Sequence, residues 1–305
     1  MSQPSSSAYE RLRAATARLA VPEVVRATTA APPGDPCPGQ IWRAVWDDVV
    51  EIVAVTAVDA TTVFALPVSL ETRFHDSQTL LLPASASTLN QPLALWCGLA
   101  SRLPWCVLDR QVSQLSVPLD AEGSPTPTAT EYRYGSPIPS AAAQASEFRA
   151  VLADTMDVLT LAHWAPQGSG DLAVLLKQRG LGPAGLIQHL GIEPPRALAL
   201  LRARTPLTPR EASLLAPVLG LPLDDVLAAN PPLPDDLVHE LSRPARRGQI
   251  RRLAQLTNTT EDDARQQALF ATLALAARQE RPAEADWPAR VDRFFDVHLS
   301  QGGQQ

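Results

Sequence analysis

Lysine is almost missing from this 305-residue chain: among 26 basic residues only Lys177 is a lysine. Together with the abundance of Ala, Pro and Leu, that bias points to a GC-rich coding sequence and carries no chemistry of its own. Cysteine is scarce as well. Cys37, Cys97 and Cys106 are odd in number and lack metal-ligand spacing, which excludes a disulfide framework and a zinc finger. The five histidines stand singly, so no metal site and no cofactor is expected. No apolar run approaches the roughly 18 residues that a membrane-spanning helix requires. The segment MSQPSSSAYERLRAATARLA has charges where a signal peptide would need an apolar core. These absences predict a cytoplasmic chain without a membrane anchor.

Length allows two domains of ordinary size. Charge is uneven along them: residues 1–170 carry net −6, residues 171–230 net +1, and residues 231–305 net −1. The first part repels phosphate backbones and the middle is neutral, so any nucleic-acid affinity must come from local arginines and from two copies of the chain.

Periodicity divides the sequence further. An amphipathic helix is expected within residues 1–30, ended by APPGDPCPG at 31–39. Over 36–118, short runs rich in β-branched and aromatic residues from Gln40 onward (QIWRAVW, VVEIVAVTAV, TTVFALPVSL, TLLLPA, LALWCGL, WCVLDRQVSQL) argue for a small closed or nearly closed β-barrel. Residues 119–140, rich in Pro, Ser and Thr, read as a semi-extended linker. Helical spacing returns at 141–164, expected to pack on the helices that follow, and a helical domain runs to 230. A helical extension occupies 231–299, where Thr260 before Glu261, Asp262 and Asp263 makes an N-cap and acidic first turn.

Residues 175–210, LLKQRGLGPAGLIQHLGIEPPRALALLRARTPLTPR, hold the densest pattern. A helix ends at Gly180; Pro183 opens a second helix with Leu186, Ile187 and Leu190 on its apolar face; Gly191 and Ile192 turn; a third helix runs from Pro194 to about 202. Thr208, Pro209 and Glu211 form a capping-box start for a fourth, and 223–227 closes the set. Over 171–228 this order resembles the helix-turn-helix domain of the Cro/repressor (XRE) type. The resemblance implies that the third helix enters the major groove of double-stranded DNA, with Arg196 in its exposed first turn placed to read guanine and Arg202 and Arg204 placed for phosphates. The short polar residues usual at the starts of helices two and three are replaced by Gly182 and Pro183 and by Glu193, Pro194 and Pro195, and neither a proline nor a carboxylate can donate to phosphate.

Residues 36–116 are similar to the MazF/PemK toxin family, an SH3-like barrel whose active members cleave RNA. Gly39, Gln40, Ile41 and Trp42 match the opening strand, Leu66, Pro67, Val68 and Ser69 an inner segment, and 95–99 with 107–112 the closing strands. Where the family's catalytic Arg-Pro would stand, this chain has Val49, Val50 and Glu51. The resemblance therefore implies an inactive barrel, since the arginine that would stabilise the developing phosphorane charge is missing. Arg43 is the nearest strand arginine, expected as an outward, solvated residue. Trp42, Trp46, Trp96 and Trp105 are candidates for a cleft lining or for the core.

A third feature is SRPARRGQIRR, where Arg243, Arg246, Arg247, Arg251 and Arg252 fall close together. Such a cluster either neutralises phosphates or pairs with Asp235, Asp236 and Glu240. The expectation is an α+β multidomain protein: a small SH3-like β-barrel followed by an all-α repressor-like bundle with a helical C-terminal extension. Its expected role is that of a prokaryotic transcriptional regulator binding double-stranded DNA as a homodimer through Arg196, Arg202, Arg204, Arg246, Arg247, Arg251 and Arg252, with the barrel docking a small ligand or a protein. Two alternatives are a divergent endoribonuclease acting through Ser69 and a scaffold that touches no nucleic acid.

Overall fold

A computed structural model describes residues 33–116, 119–120, 132–136, 142–165, 168–277 and 286–301. The helix expected within residues 1–30 and most of the expected linker lie outside them. The class is α+β: an antiparallel sheet precedes a run of helices. The chain forms two compact units, one of residues up to 58 with 64–101 and 109–156, the other of 59–63, 102–108 and everything from 157 onward.

Eight strands, β1 (Gln40–Trp46), β2 (Val49–Val58), β3 (Thr62–Ser69), β4 (Thr79–Leu82), β5 (Leu93–Trp96), β6 (Ser101–Pro104), β7 (Leu108–Gln114) and β8 (Arg133–Tyr134), make one sheet. β1 and β2 form a hairpin in which Ile41 faces Ala54 and Trp46 faces Val49. The two residues between them are Asp47 and Asp48, and Asp47 adopts the left-handed conformation (φ 47°) that aspartate tolerates in tight turns. The strand order is β7-β1-β2-β3-β5-β4-β8, with β6 alongside β3. That path is open at both ends among the described residues, so of the expected closed or nearly closed barrel the closed form is corrected. β8 extends it from within the stretch expected to be linker, pairing Tyr134 with Leu80 and Arg133 with Leu81. Ile41, Leu66, Leu80, Leu93 and Leu95 are fully buried in the core of this unit, each contributing about 1.5–3 kcal/mol by leaving water.

Helix α1 (Ala142–Thr160) departs from expectation in its first half, which packs with the sheet. The Phe148 ring lies 5.2 Å from Phe74 and 5.7 Å from Trp96, and Arg149 reaches Asp76 at 2.7 Å, Gln78 at 2.8 Å and the Gly98 carbonyl at 3.2 Å. An aromatic pair and a carboxylate outside the helical region gave those two side chains a better partner than the following helices.

In the second unit, α2 (Leu172–Gln178), α3 (Pro183–Leu190), α4 (Pro194–Leu201), α5 (Pro209–Leu219) and α6 (Leu223–Ala228) surround one core that includes Leu172, Leu176, Leu186, Leu200, Leu215 and Val226. Gly191 and Gly220 stop α3 and α5 at φ 64°, a conformation that costs glycine little. α4 ends the same way without a glycine: Ala203 sits at φ 48°, while the Arg204 N–H donates back to Ala199. The buried Asn230 side chain accepts from the Leu207 N–H at 2.8 Å and donates to its carbonyl at 3.1 Å, satisfying a loop that would otherwise bury bare backbone. α7 (Asp235–Ser242), α8 (Pro244–Thr257), α9 (Glu261–Ala277) and α10 (Trp287–Gln301) belong to this same unit, with no division at 230.

Candidate nucleic-acid interface

α4 begins with Pro194 and Pro195, which fix its first turn but bring no N–H, and its N-cap Glu193 accepts no backbone bond through its side chain. The first turn therefore offers little to an anion. Arg196 does not face outward. Its Nε donates to Glu211 Oε1 at 3.1 Å, and its Nη2 donates to Glu211 Oε2 at 2.8 Å and to the Pro206 carbonyl at 2.7 Å. Glu211 simultaneously closes the capping box of α5, accepting the Thr208 N–H at 2.7 Å while Thr208 Oγ1 accepts the Glu211 N–H at 3.2 Å. Burial alone would raise the Glu211 pKa; the Arg196 and Thr208 donors outweigh it and hold the carboxyl below its ordinary value. The expectation of a base-reading Arg196 is thus corrected, because a fork-to-carboxylate pair ties α4 to α5.

Arg202 and Arg204 occupy the turn after α4 and are exposed. Their side chains make no ion pair or hydrogen bond among the described residues, and the same is true of exposed Lys177, Arg179 and Arg210 at the end of α2 and the start of α5. Arg179 and Arg210 were not expected as site residues. Their signal lay in position: each falls at the edge of a helix whose apolar face is turned the other way.

The 243–252 cluster is mostly internal. Arg243 meets Glu240 at 3.0 Å, and Arg246 bridges Glu240 and Asp292. Arg247, 5% exposed, donates to Glu261 at 2.9 Å and to the carbonyls of Cys106 and Val107 at 3.3 and 3.0 Å. Arg251 holds the other Glu261 oxygen at 2.5 Å, and buried Arg265 donates to Asp262 at 2.9 Å and to the Cys106 carbonyl at 3.3 Å. Burial raises the Glu261 pKa, but Arg247, Arg251 and Arg265 together bring it below the ordinary carboxylate value. Burial pushes the Cys106 thiol up to about 11. The assignment of Arg246, Arg247 and Arg251 to phosphates is corrected: their charges complete the packing of α7, α8, α9 and the 105–107 turn. Asp235 and Asp236, expected partners, stay exposed in the first turn of α7. Of the five, Arg252 is the exposed one without a partner among the described residues.

In the sheet unit, Glu51 lies on β2 opposite Ala44, accepting the Ile52 N–H at 2.9 Å, and burial raises its pKa. Arg43 is not a free outward residue; it pairs with buried Asp109 at 2.9 Å. Ser69 Oγ accepts the Glu71 N–H at 2.9 Å. Trp42 and Trp96 are fully buried, and Trp105, in the second unit, packs edge-on against His239 at 4.6 Å, so these rings serve the cores rather than a cleft. Among the described residues no cluster of His, Cys, Asp or Glu could hold a metal ion, and no helix is long and apolar enough to cross a membrane. No family model, no curated protein and no solved structure matches this chain.

Proposed function

We propose that the α2–α6 bundle binds double-stranded DNA mainly through phosphates, and that the protein is a transcriptional regulator acting as a homodimer. The observation that carries the proposal is the pair Arg202 and Arg204, exposed and unpaired at the end of the third of five helices in repressor-like order, while Arg196 is withheld by Glu211. Lys177, Arg179 and Arg210 add charge on neighbouring elements of the same bundle. With a base reader absent from the first turn of α4, affinity would be steeply salt-dependent and weakly selective for sequence. Two copies supply the charge that one nearly neutral bundle lacks. The resemblance to the toxin family would put its catalytic Arg-Pro where the sheet unit has Val49, Val50 and Glu51, so the proposed role of this unit is docking rather than RNA cleavage.

The test is binding to a mixed-sequence duplex across a salt series, for the full chain and for Arg202→Ala/Arg204→Ala. The double variant removes four arginines from the homodimer and is expected to reduce the slope of log affinity against log salt by about three to four units. A slope identical to that of the unmodified chain would overturn the phosphate assignment. A second reading, protein docking through α4, is favoured by Leu198, which stands 42% exposed beside Pro194 and Pro195 where a groove-entering helix would carry polar groups. Absence of any salt-dependent DNA binding would favour it.

A further inference from the structure

Arg196 and Glu211, which closed the DNA-reading role of α4, also line a cavity of about 280 Å³. Its remaining walls are Thr205, Pro206 and Thr208 on one side and Phe270, Ala271, Leu273 and Ala274 of α9 on the other, all within the second unit. Most of this lining is apolar. Among the described residues two polar groups in it lack partners: Nη1 of the part-exposed Arg196, whose bonds use Nε and Nη2, and the hydroxyl of Thr205, which alone of the two is buried. Buried polar groups in folded proteins are nearly always satisfied, so the Thr205 hydroxyl leaves this cavity short of a partner, and Arg196 Nη1 is a spare donor in the same lining.

We propose that this cavity is a binding site for a small uncharged molecule with an apolar body and a carbonyl acceptor. The apolar body would lie against Phe270, Leu273 and Ala274, and the carbonyl would accept from Arg196 Nη1. An anion gains little here, because Glu211 already neutralises the guanidinium at 2.8 Å and stands in the same wall. A cation would face that guanidinium without a free carboxylate. The volume sits near the lower end of small-molecule pockets, which suits a ligand the size of one substituted ring. The site does not depend on the DNA proposal, since none of its lining residues is among the exposed arginines.

Acetophenone is the probe, with ethylbenzene as the same shape lacking the acceptor and benzoate as the charged counterpart, each titrated into the full chain and followed by methyl NMR. Saturable shifts are expected at the methyls of Ala271, Leu273 and Ala274, with acetophenone binding about fivefold to tenfold tighter than ethylbenzene and benzoate no tighter than acetophenone. Ala274→Phe, at an exposed helix position, is expected to abolish binding without lowering thermal stability, and Arg196→Met to erase the preference for the carbonyl. Should Arg196→Met fail to fold, the located shifts and Ala274→Phe still decide. Shifts confined to other parts of the chain, no saturation up to the solubility of acetophenone, or binding that survives Ala274→Phe would each overturn the proposal, the last two leaving the cavity to water.

Discussion

The turn after α4 and the start of α8 are both rich in arginine, yet they have opposite fates. Arg202 and Arg204 are exposed and without a partner among the described residues, while Arg246 and Arg247 are enclosed by carboxylates and carbonyls. Local density does not separate them; the cluster with more arginines is the one with fewer available. What separates them is the supply of acceptors from elsewhere in the chain. Glu261 comes from α9 and Asp292 from α10, and the backbone carbonyls come from a turn about 140 residues earlier. A charge is available for a partner molecule only after the fold has taken what it needs.

The contrast is broken most sharply by removing one enclosed guanidinium. Arg247→Ala removes one of the three guanidinium groups around Glu261 and the side-chain donor to the Val107 carbonyl, and is expected to destabilise the second unit by about 1–3 kcal/mol in urea unfolding. Arg252→Ala, exposed on the same helix, should stay within about 0.5 kcal/mol. Equal losses would erase the distinction. Acid gives the next largest effect. Glu261 and Glu211 have native pKa values below their unfolded ones, so their contribution is complete above the ordinary carboxylate value of about 4.3 and is lost as pH falls toward the native values. The urea midpoint should therefore fall on acidification in that window, and in Glu261→Gln it should start lower at neutral pH and vary less. An unchanged pH profile in that variant would show that the arginines do not act through Glu261.

Ala203→Gly is expected to stabilise the bundle by about 1 kcal/mol, because the turn presenting Arg202 and Arg204 places a non-glycine residue at φ 48°. The thermal midpoint reports it, and a decrease would mean that the alanine methyl packs usefully there. Arg202→Ala/Arg204→Ala should have the smallest effect on stability, under about 0.5 kcal/mol in the same urea assay. A large loss would place these side chains among the structural arginines.

The bundle was legible because its punctuation is local. Pro183, Gly191 and the Thr208 to Glu211 box each act over one turn, and the helices begin and end where those residues say. The sheet was legible as strands but not as an open path: β4 and β5 are buried at nearly every position, so alternation cannot tell their faces, and β8 is two residues long inside a Pro-rich stretch. The site was the least legible part. Glu211 reads from sequence as a cap, and nothing nearby shows that it also holds Arg196, fifteen residues away. Long-range pairing decides which arginines are free, and spacing does not encode it.

The 105–107 turn bears on where this chain can be cut. Its carbonyls take hydrogen bonds from Arg247 and Arg265, and the Trp105 ring packs on His239. A fragment beginning after the Pro-rich stretch would carry every helix of the second unit and still lack the acceptors for two enclosed guanidinium groups. Composition marks a seam near residue 120 that folding does not respect, and a helical fragment meant to fold alone would need residues 102–108 returned to it, on the same chain or as a separate peptide.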